Sequence, residues 1–439
     1  MSFLKRIFGG LFGGDSAAPA ATTQPSTAPA AVRTPPAAPP PAAPKLFIGW
    51  NEMIDAQGGI GGYRLLPRTL NPGQRITGPA LLDALTREQA ARYAETRPLL
   101  IPLTLAQWQE ADFKSAVGRQ TFILIEDFPE LDTATQQQLT QHIRGCGAKL
   151  VAPRRIDQAP LPWDVDALLI DFHAEPLTQL ESVVRTVRQQ NPALRLFMTE
   201  VASWSEHRLC RNLNAHFCLG DFATTRDEQA PAGRISESRM VVMEMLNQLR
   251  QESDPGALAA TAMRDPAVVI KLIDMANSPV YGLPRKIARL EEALMLLGSD
   301  ALYRWLSIAL YHLDANSARD RTILVLSLCR AGLLESLLRE RDKRSADELF
   351  LLGLLSLLDV MLGVPMPALL ANLRLPEKVT LALLRNEGAY APYLQLAIAL
   401  ERCRLDHAVI LAASLQISPA HLVDCYREAL SWASAEANH

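Results

Sequence analysis

The sequence predicts two folded units of different class: a closed β/α barrel over residues 45–235 and an all-helical bundle over residues 236–439. Three observations predict this. Short apolar runs alternate with amphipathic stretches through the first unit, the pattern of a mostly parallel sheet with crossover helices. Beyond Gly233 no strand pattern recurs, and apolar residues fall at helical spacing. The length of 439 residues is too great for one core, so two or three domains are expected. A hydrophobic share of 49% is ordinary for a globular chain, and a net charge of −3 gives no global attraction to nucleic acid. The six cysteines lie scattered with no C-x-x-C pair, which reads as reduced thiols in a cytoplasmic protein.

Residues 1–14, MSFLKRIFGGLFGG, place Phe3, Leu4, Ile7 and Phe8 at helical spacing around Lys5 and Arg6. A short amphipathic helix there would dock transiently on a partner groove or an anionic membrane. Gly9 and Gly10 argue instead for an unstructured start, and break the apolar stretch too early for a cleaved signal peptide. Residues 15–44 hold nine prolines and eleven alanines in thirty positions; they cannot bury a core and read as a disordered, partly extended tether. No apolar run reaches the roughly 20 residues that span a bilayer.

From residue 45 the expected strands are LFIGW, GYRLLP, PLLIPL, TFILIE, AKLVA, DALLID, LRLFMT and HFCLG. Helices are expected at Pro79–Thr96, Thr133–Arg144, Leu177–Gln190 and Ser205–Asn212. About eight strands favour a closed barrel over an open doubly wound sheet, and no Gly-rich loop follows the first strands to hold a dinucleotide. In a barrel the chemistry sits at the carboxyl ends of the strands. There stand Pro67, Pro102, Glu126 and Asp127, Pro153, Arg154 and Arg155, Asp171 and His173, and Glu200. A two-metal hydrolase needs several convergent carboxylates. Glu126, Asp171 and Glu200 offer three, but prolines and arginines intrude, and ordinary strand ends and helix caps explain these acids better.

Two motifs carry a resemblance. GYRLLPR, residues 62–68, is similar to the opening motif of the EAL phosphodiesterases that hydrolyse cyclic di-GMP, and VASWSEHRLCRNLNAHFCLGDF, residues 201–222, resembles that family's late segment. The resemblance implies a metal-holding barrel, yet its functional positions depart. Arg64 takes the place of the glutamate that names the family, Pro102 that of a metal-binding asparagine, and Ile123 that of a ligand glutamate, while Glu126 is kept. Pro153 and Arg154 replace paired aspartates. Leu169 replaces the catalytic lysine, Ala202 the late glutamate and Leu219 the glutamine; Asp171 survives. An arginine where two cations must bind repels them by several kcal/mol in a dry site. The expectation is a degenerate, catalytically inactive EAL-like barrel without a cofactor.

In the second unit, helices are expected at Met240–Gln251, from Asp265-Pro266 to Asn277, at Glu291–Leu297, Ala301–Tyr311, Thr322–Arg339, Ala346–Leu362, Pro376–Asn386, Ala391–Arg404 and Pro419–Ser431. EEALMLLGSDALYRWLSIALY has the outline of a helix-turn-helix, but its second helix is apolar apart from Arg304, so core packing is expected and no nucleic-acid partner. DPAVVIKLIDMANSPVYGLPRKIARLEEALMLLG, residues 265–298, resembles the HDOD domain through Asp265, Pro266, Asn277, Ser278, Tyr281 and Gly298. HDOD domains are helical relatives of HD-type metal hydrolases that have lost the metal site, and a barrel followed by this bundle is similar to two-domain EAL–HDOD bacterial signalling proteins. In GLLSLLD, residues 353–359, Ser356 and Leu357 occupy the His-Asp positions, and Leu326 stands where a first histidine is expected. Ser356 is then a core-helix serine able to bond back to the preceding turn. The combined reading is a non-catalytic scaffold for unidentified signalling proteins; weak binding of cyclic di-GMP without cleavage is the alternative, and an atypical phosphodiesterase a more remote one.

Overall fold

A computed structural model describes residues 46–69, 75–154, 165–174, 176–230, 233–277, 287–313 and 317–436. The expectations for Phe3, Leu4, Ile7 and Phe8, for the 15–44 tether, and for Arg155, Ser278 and Tyr281 lie outside these residues, as does the side chain of Arg154.

Eight strands close into a barrel in chain order: β1 Leu46–Asp55, β2 Ile60–Thr69, β3 Leu99–Leu103, β4 Thr121–Ile125, β5 Lys149–Arg154, β6 Ala167–Asp171, β7 Arg195–Thr199 and β8 Phe217–Cys218. All eight expected runs are strands. The sheet is parallel from β2 to β8, but β1 runs antiparallel to both of its neighbours. A tight turn is the reason: Asp55 Oδ1 accepts the amides of Gln57 and Gly59, each at 2.9 Å, and Gly58 takes a left-handed φ of 85°. A hairpin of this length joins only antiparallel strands.

Alternate residues point inward, and Met53, Leu100, Phe122, Leu124, Val151, Ala167, Phe197, Phe217 and Leu219 fill the barrel with Leu169 against them. The outward residues pack beneath the surrounding helices. The expected helix Pro79–Thr96 is two pieces, Gly78–Arg87 and Ala90–Tyr93, because Gln89 between them adopts φ 54°. Leu177–Gln190 has the expected bounds.

The remainder is helical. Pro255–Ala262, Met366–Leu370 and Leu405–Ser414 are helices without a counterpart in the expectation. Ala391–Glu401 ends sooner than expected, at a turn where Cys403 has φ 50°. The expected helix Ala346–Leu362 is instead Lys343–Leu355 and Leu358–Leu362, broken at Ser356 and Leu357.

The two units share a continuous apolar contact. Phe47 of β1 is buried among Leu334, Leu337, Leu396 and Tyr426 of the helical unit, with its ring 5.1 Å from that of Tyr426. The Trp50 amide donates to the Tyr426 hydroxyl at 3.3 Å, Thr322 Oγ1 donates to the Gly58 carbonyl at 2.9 Å, and Arg427 pairs with Glu88 at 3.0 Å. Gly49 lies so close to the Cys403 sulfur that any Cβ there would clash.

Candidate functional site

Strand pairing sets the barrel mouth. Arg64 on β2 sits opposite Asn51 of β1 and beside Leu100 of β3; Pro102 pairs with Leu124, and Pro153 with Leu169. Leu169 and Leu219 belong to the interior apolar cluster. Ile123 does not: it packs outward under the helices, while Leu124 faces the interior. The strand's period of two thus turns Ile123 away from the interior, between Phe122 and Leu124, which face it.

Arg64 is largely buried, and its Nε has no hydrogen-bond partner. Burial lowers its pKa, and the carboxylates of Glu126 and Glu200 oppose that shift. Glu126 and Glu200 are exposed at the rim, Glu200 with φ 60°. Other acids at the strand ends hold local structure. Asp127 Oδ1 accepts the Leu105 amide at 2.9 Å, and Asp171 Oδ1 accepts the His173 amide at 2.8 Å. Glu206 Oε2 accepts the amide of exposed Ala202 at 2.7 Å and meets His173 Nε2 at 3.3 Å. Among the described residues, no three His, Cys, Asp or Glu side chains come together as a metal-holding group, so Glu126, Asp171 and Glu200 do not form one. The side chains of Arg64, Pro102, Pro153, Leu169 and Leu219 offer no oxygen or imidazole ligand to a divalent cation.

In the helical unit, Leu326 and Leu357 are fully packed, 2% and 3% exposed. Ser356 Oγ donates to the Gly353 carbonyl at 2.7 Å, the back-bond its type predicts. It also accepts from Arg330 Nη1 at 3.0 Å. Arg330 lies one helical turn beyond Leu326 on Ala318–Leu338, and forks onto Glu401 of Ala391–Glu401, Nε to Oε2 at 2.7 Å and Nη2 to Oε1 at 2.9 Å. Its side chain is 6% exposed. Burial works against its charge, but Glu401 outweighs burial and raises its pKa. A guanidinium thus fills the space beside Ser356.

Facing this pair from β1 is Glu52. Burial first, then repulsion from Glu401, push its carboxyl up to about 8, with Asp221 adding to the rise and Arg330 opposing it. Sequence reading missed Glu52, Arg330 and Glu401. The available signal was one arginine in the apolar run TILVLSLCRAGLL, a residue type rarely buried without a partner.

The HDOD-motif residues serve the backbone. Asp265 Oδ1 accepts the Ala267 amide at 2.8 Å at the start of Pro266–Ala276, and its pKa is lowered by a hydrogen bond from Ser238 and by the helix amides, against burial. Asn277 donates to the carbonyls of Ile273 at 3.0 Å and Ile287 at 2.7 Å and accepts the Ile287 amide at 2.7 Å, so it clamps the two ends of the segment between them. Gly298, at φ 70°, turns the chain from Leu290–Leu297 into Ser299–His312. Arg304, the cation of the helix-turn-helix outline, lies 3.6 Å from the Phe350 ring centre and is bidentate to Glu335, both bonds 2.8 Å. A cleft of about 1370 Å³ opens beside it, lined in part by Leu258, Met295, Leu302, Lys343 and Phe350.

Residues 235–374 match the HDOD domain family. A closed eight-strand barrel thus precedes a helical region that matches the HDOD domain family. Among curated proteins it is 30% identical over 193 residues to the uncharacterized protein YuxH of Bacillus subtilis, covering 43% of this chain and 46% of that protein. It is 26% identical over 244 residues to the cyclic di-GMP phosphodiesterase CdgJ of Vibrio cholerae, covering 55% and 56%. The chain spans about half the length of these relatives. Among solved structures it is similar to the FimX EAL domain of Pseudomonas aeruginosa bound to c-di-GMP, with 16% identity and a TM-score of 0.33 over 41% of this chain and 90% of that one. No single described helix is long and apolar enough to cross a membrane.

Proposed function

We propose that this protein is a non-catalytic member of cyclic di-GMP-related signalling, in which a degenerate EAL-like barrel and an HDOD bundle act by binding other proteins. The observation that carries this reading is Arg64, a largely buried and unpaired cation in the barrel mouth. Leu169 and Leu219 support it, since neither offers a proton or a hydrogen bond to a reacting phosphate. Arg330 supports it in the second unit, where its bonds to Glu401 and Ser356 take up the polar groups beside the lost histidine position. The relation to CdgJ supports the pathway, and the substitutions argue against its chemistry in this chain.

A receptor that holds cyclic di-GMP without cleaving it is the second reading. It is favoured by Arg64 and Arg68, whose positions on β2 share one face at the mouth, because guanidinium groups pair with phosphates. Incubating the full chain with cyclic di-GMP and Mg²⁺ or Mn²⁺, with chromatography of the products and calorimetry of binding, separates the readings. The scaffold gives neither cleavage nor heat; micromolar binding without cleavage supports the receptor; metal-dependent cleavage lost in Asp171→Ala refutes both.

A further inference from the structure

We infer that the helices after residue 374 form a strap over the edge of β1 that β8 leaves open, with Phe47 as its latch: the strap holds the helical unit on the barrel and covers the β1 side of the barrel mouth. This goes beyond the proposed function and does not depend on what the barrel binds.

The barrel leaves that edge unfilled. β2 pairs with β1 from Leu46 to Ile54, but among the described residues β8 pairs with it only at Ile54 and Asp55. The second edge of Leu46–Met53 has no strand beside it, and an open edge presents unpaired amides and carbonyls. Because β1 runs antiparallel to β2, this stretch lies at the carboxyl end of β2, at the mouth. Strand alternation puts Phe47 and Gly49 on the face of Met53, an interior residue, so they extend the inner wall of the barrel. Gly49 pairs there with Leu66, which stands between Arg64 and Arg68 on β2.

The strap fits this place. It comprises Glu377–Arg385, Ala391–Glu401, Leu405–Ser414 and Pro419–Glu436, all beyond the family match at 235–374. Its Tyr426 hydroxyl accepts the Trp50 amide at 3.3 Å, and its Cys403 seats on Gly49, where the absent side chain makes room. Arg402 reaches Asp221, just past β8, at 3.4 Å, and Arg427 meets Glu88 at 3.0 Å. The strap therefore touches both sides of the gap that β8 leaves. Toward the HDOD helices it is tied by Glu401 to Arg330, and its Tyr390 hydroxyl donates to Glu348 at 2.8 Å.

Phe47 differs from these contacts in being buried inside the strap's own core. That core joins Leu396, Leu400 and Tyr426 to Leu334 and Leu337 of Ala318–Leu338, and among the described residues Phe47 is the one fully buried barrel side chain in it. The barrel interior is a separate cluster around Phe122 and Phe197. Removing the Phe47 ring thus loosens the strap and leaves the barrel packed.

Cysteine alkylation of the full chain, read peptide by peptide by mass spectrometry, tests this. Cys403 reports lifting of the strap from Gly49, and Cys425, buried in the strap, reports melting of the strap itself. Cys210 and Cys218, buried in the barrel, report its unfolding. In the wild type Cys403 should react far more slowly than in the urea-unfolded chain. Phe47→Ala should speed Cys403 by about a hundredfold, the effect of a core phenylalanine truncation, and leave Cys210, Cys218 and Cys425 unchanged. Phe47→Leu, which keeps most of the bulk, should speed Cys403 by about tenfold with the same selectivity, and it decides the matter where Phe47→Ala does not fold. Wild-type Cys403 that reacts as fast as in the unfolded chain overturns the inference. So does a folded variant whose Cys403 rate is unchanged, or one in which Cys210, Cys218 or Cys425 accelerates as much as Cys403.

Discussion

Replacing Arg330 by methionine removes the cation while keeping the length and apolar bulk of the side chain. Three bonds go with it: two to Glu401, at 2.7 and 2.9 Å, and one to Ser356, at 3.0 Å. The side chains of the pair are 6% and 13% exposed, so water does not replace those bonds. Breaking one side of a buried ion pair leaves an uncompensated charge and costs about 3–5 kcal/mol. The double variant Arg330→Met with Glu401→Leu removes both charges, and its cost should fall to about 1 kcal/mol or less, because apolar replacements of buried pairs are often neutral. Urea unfolding of the wild type and the two variants at pH 7, followed by intrinsic tryptophan fluorescence, measures this. A single variant losing less than about 1 kcal/mol, or a double variant no more stable than the single, would refute the claim that Arg330 neutralises this site.

Other substitutions test the packing around the same centre. Gly353→Ala places a Cβ 2.6 Å from the Ala331 amide nitrogen, at the crossing of Lys343–Leu355 with Ala318–Leu338; backbone cannot yield there, so a loss of at least about 3 kcal/mol is expected in thermal or urea unfolding. Gly49→Ala drives a Cβ into the Cys403 sulfur and should cost about 1–3 kcal/mol, recovered in large part by Cys403→Gly, which removes the sulfur and suits the left-handed φ at that position. His207, 4% exposed, has its pKa lowered by burial, against a bond from Nε2 to the Asp55 carbonyl at 2.8 Å. Its contribution to stability is present above pH 6.5 and lost as pH falls toward its lowered value. Unfolding free energies at pH 7.5 and 5.5 should differ less in His207→Phe than in the wild type, and equal slopes would count against this.

Much of the architecture was legible because it is written in local periodicity. Each of the eight strands is a short apolar run, and the amphipathic stretch Leu177–Gln190 reads as a helix to its last residue. The reversal of β1 was legible in principle, since DAQGG between two apolar runs is a hairpin signal, but the strand-helix alternation around it argued for a parallel start. The break at Ser356 and Leu357 was not legible, because leucines on both sides continue the helical pattern while the tight crossing at Gly353 is a tertiary fact.

The candidate sites divide in the same way. The structure shows where these residues lie: Leu169 and Leu219 against the barrel interior, and Ile123 outward under the helices. Asp171 and Asp265 proved to cap local amides, as residue type alone suggests. The Glu52–Arg330–Glu401 cluster could not be read, because its members are separated by hundreds of residues in the first case and 71 in the second, and nothing local marks one as the partner of another.

The central claim is that an arginine stands in each unit where a relative of this architecture would gather ligands for a divalent ion. Titration of the full chain with Mn²⁺, followed by the loss of the free-ion signal in electron paramagnetic resonance, tests it without requiring catalysis. The account predicts no site binding Mn²⁺ tighter than about millimolar, in the presence or absence of cyclic di-GMP. One or two equivalents bound at micromolar Mn²⁺, released on Asp171→Ala or Glu126→Ala, would contradict it.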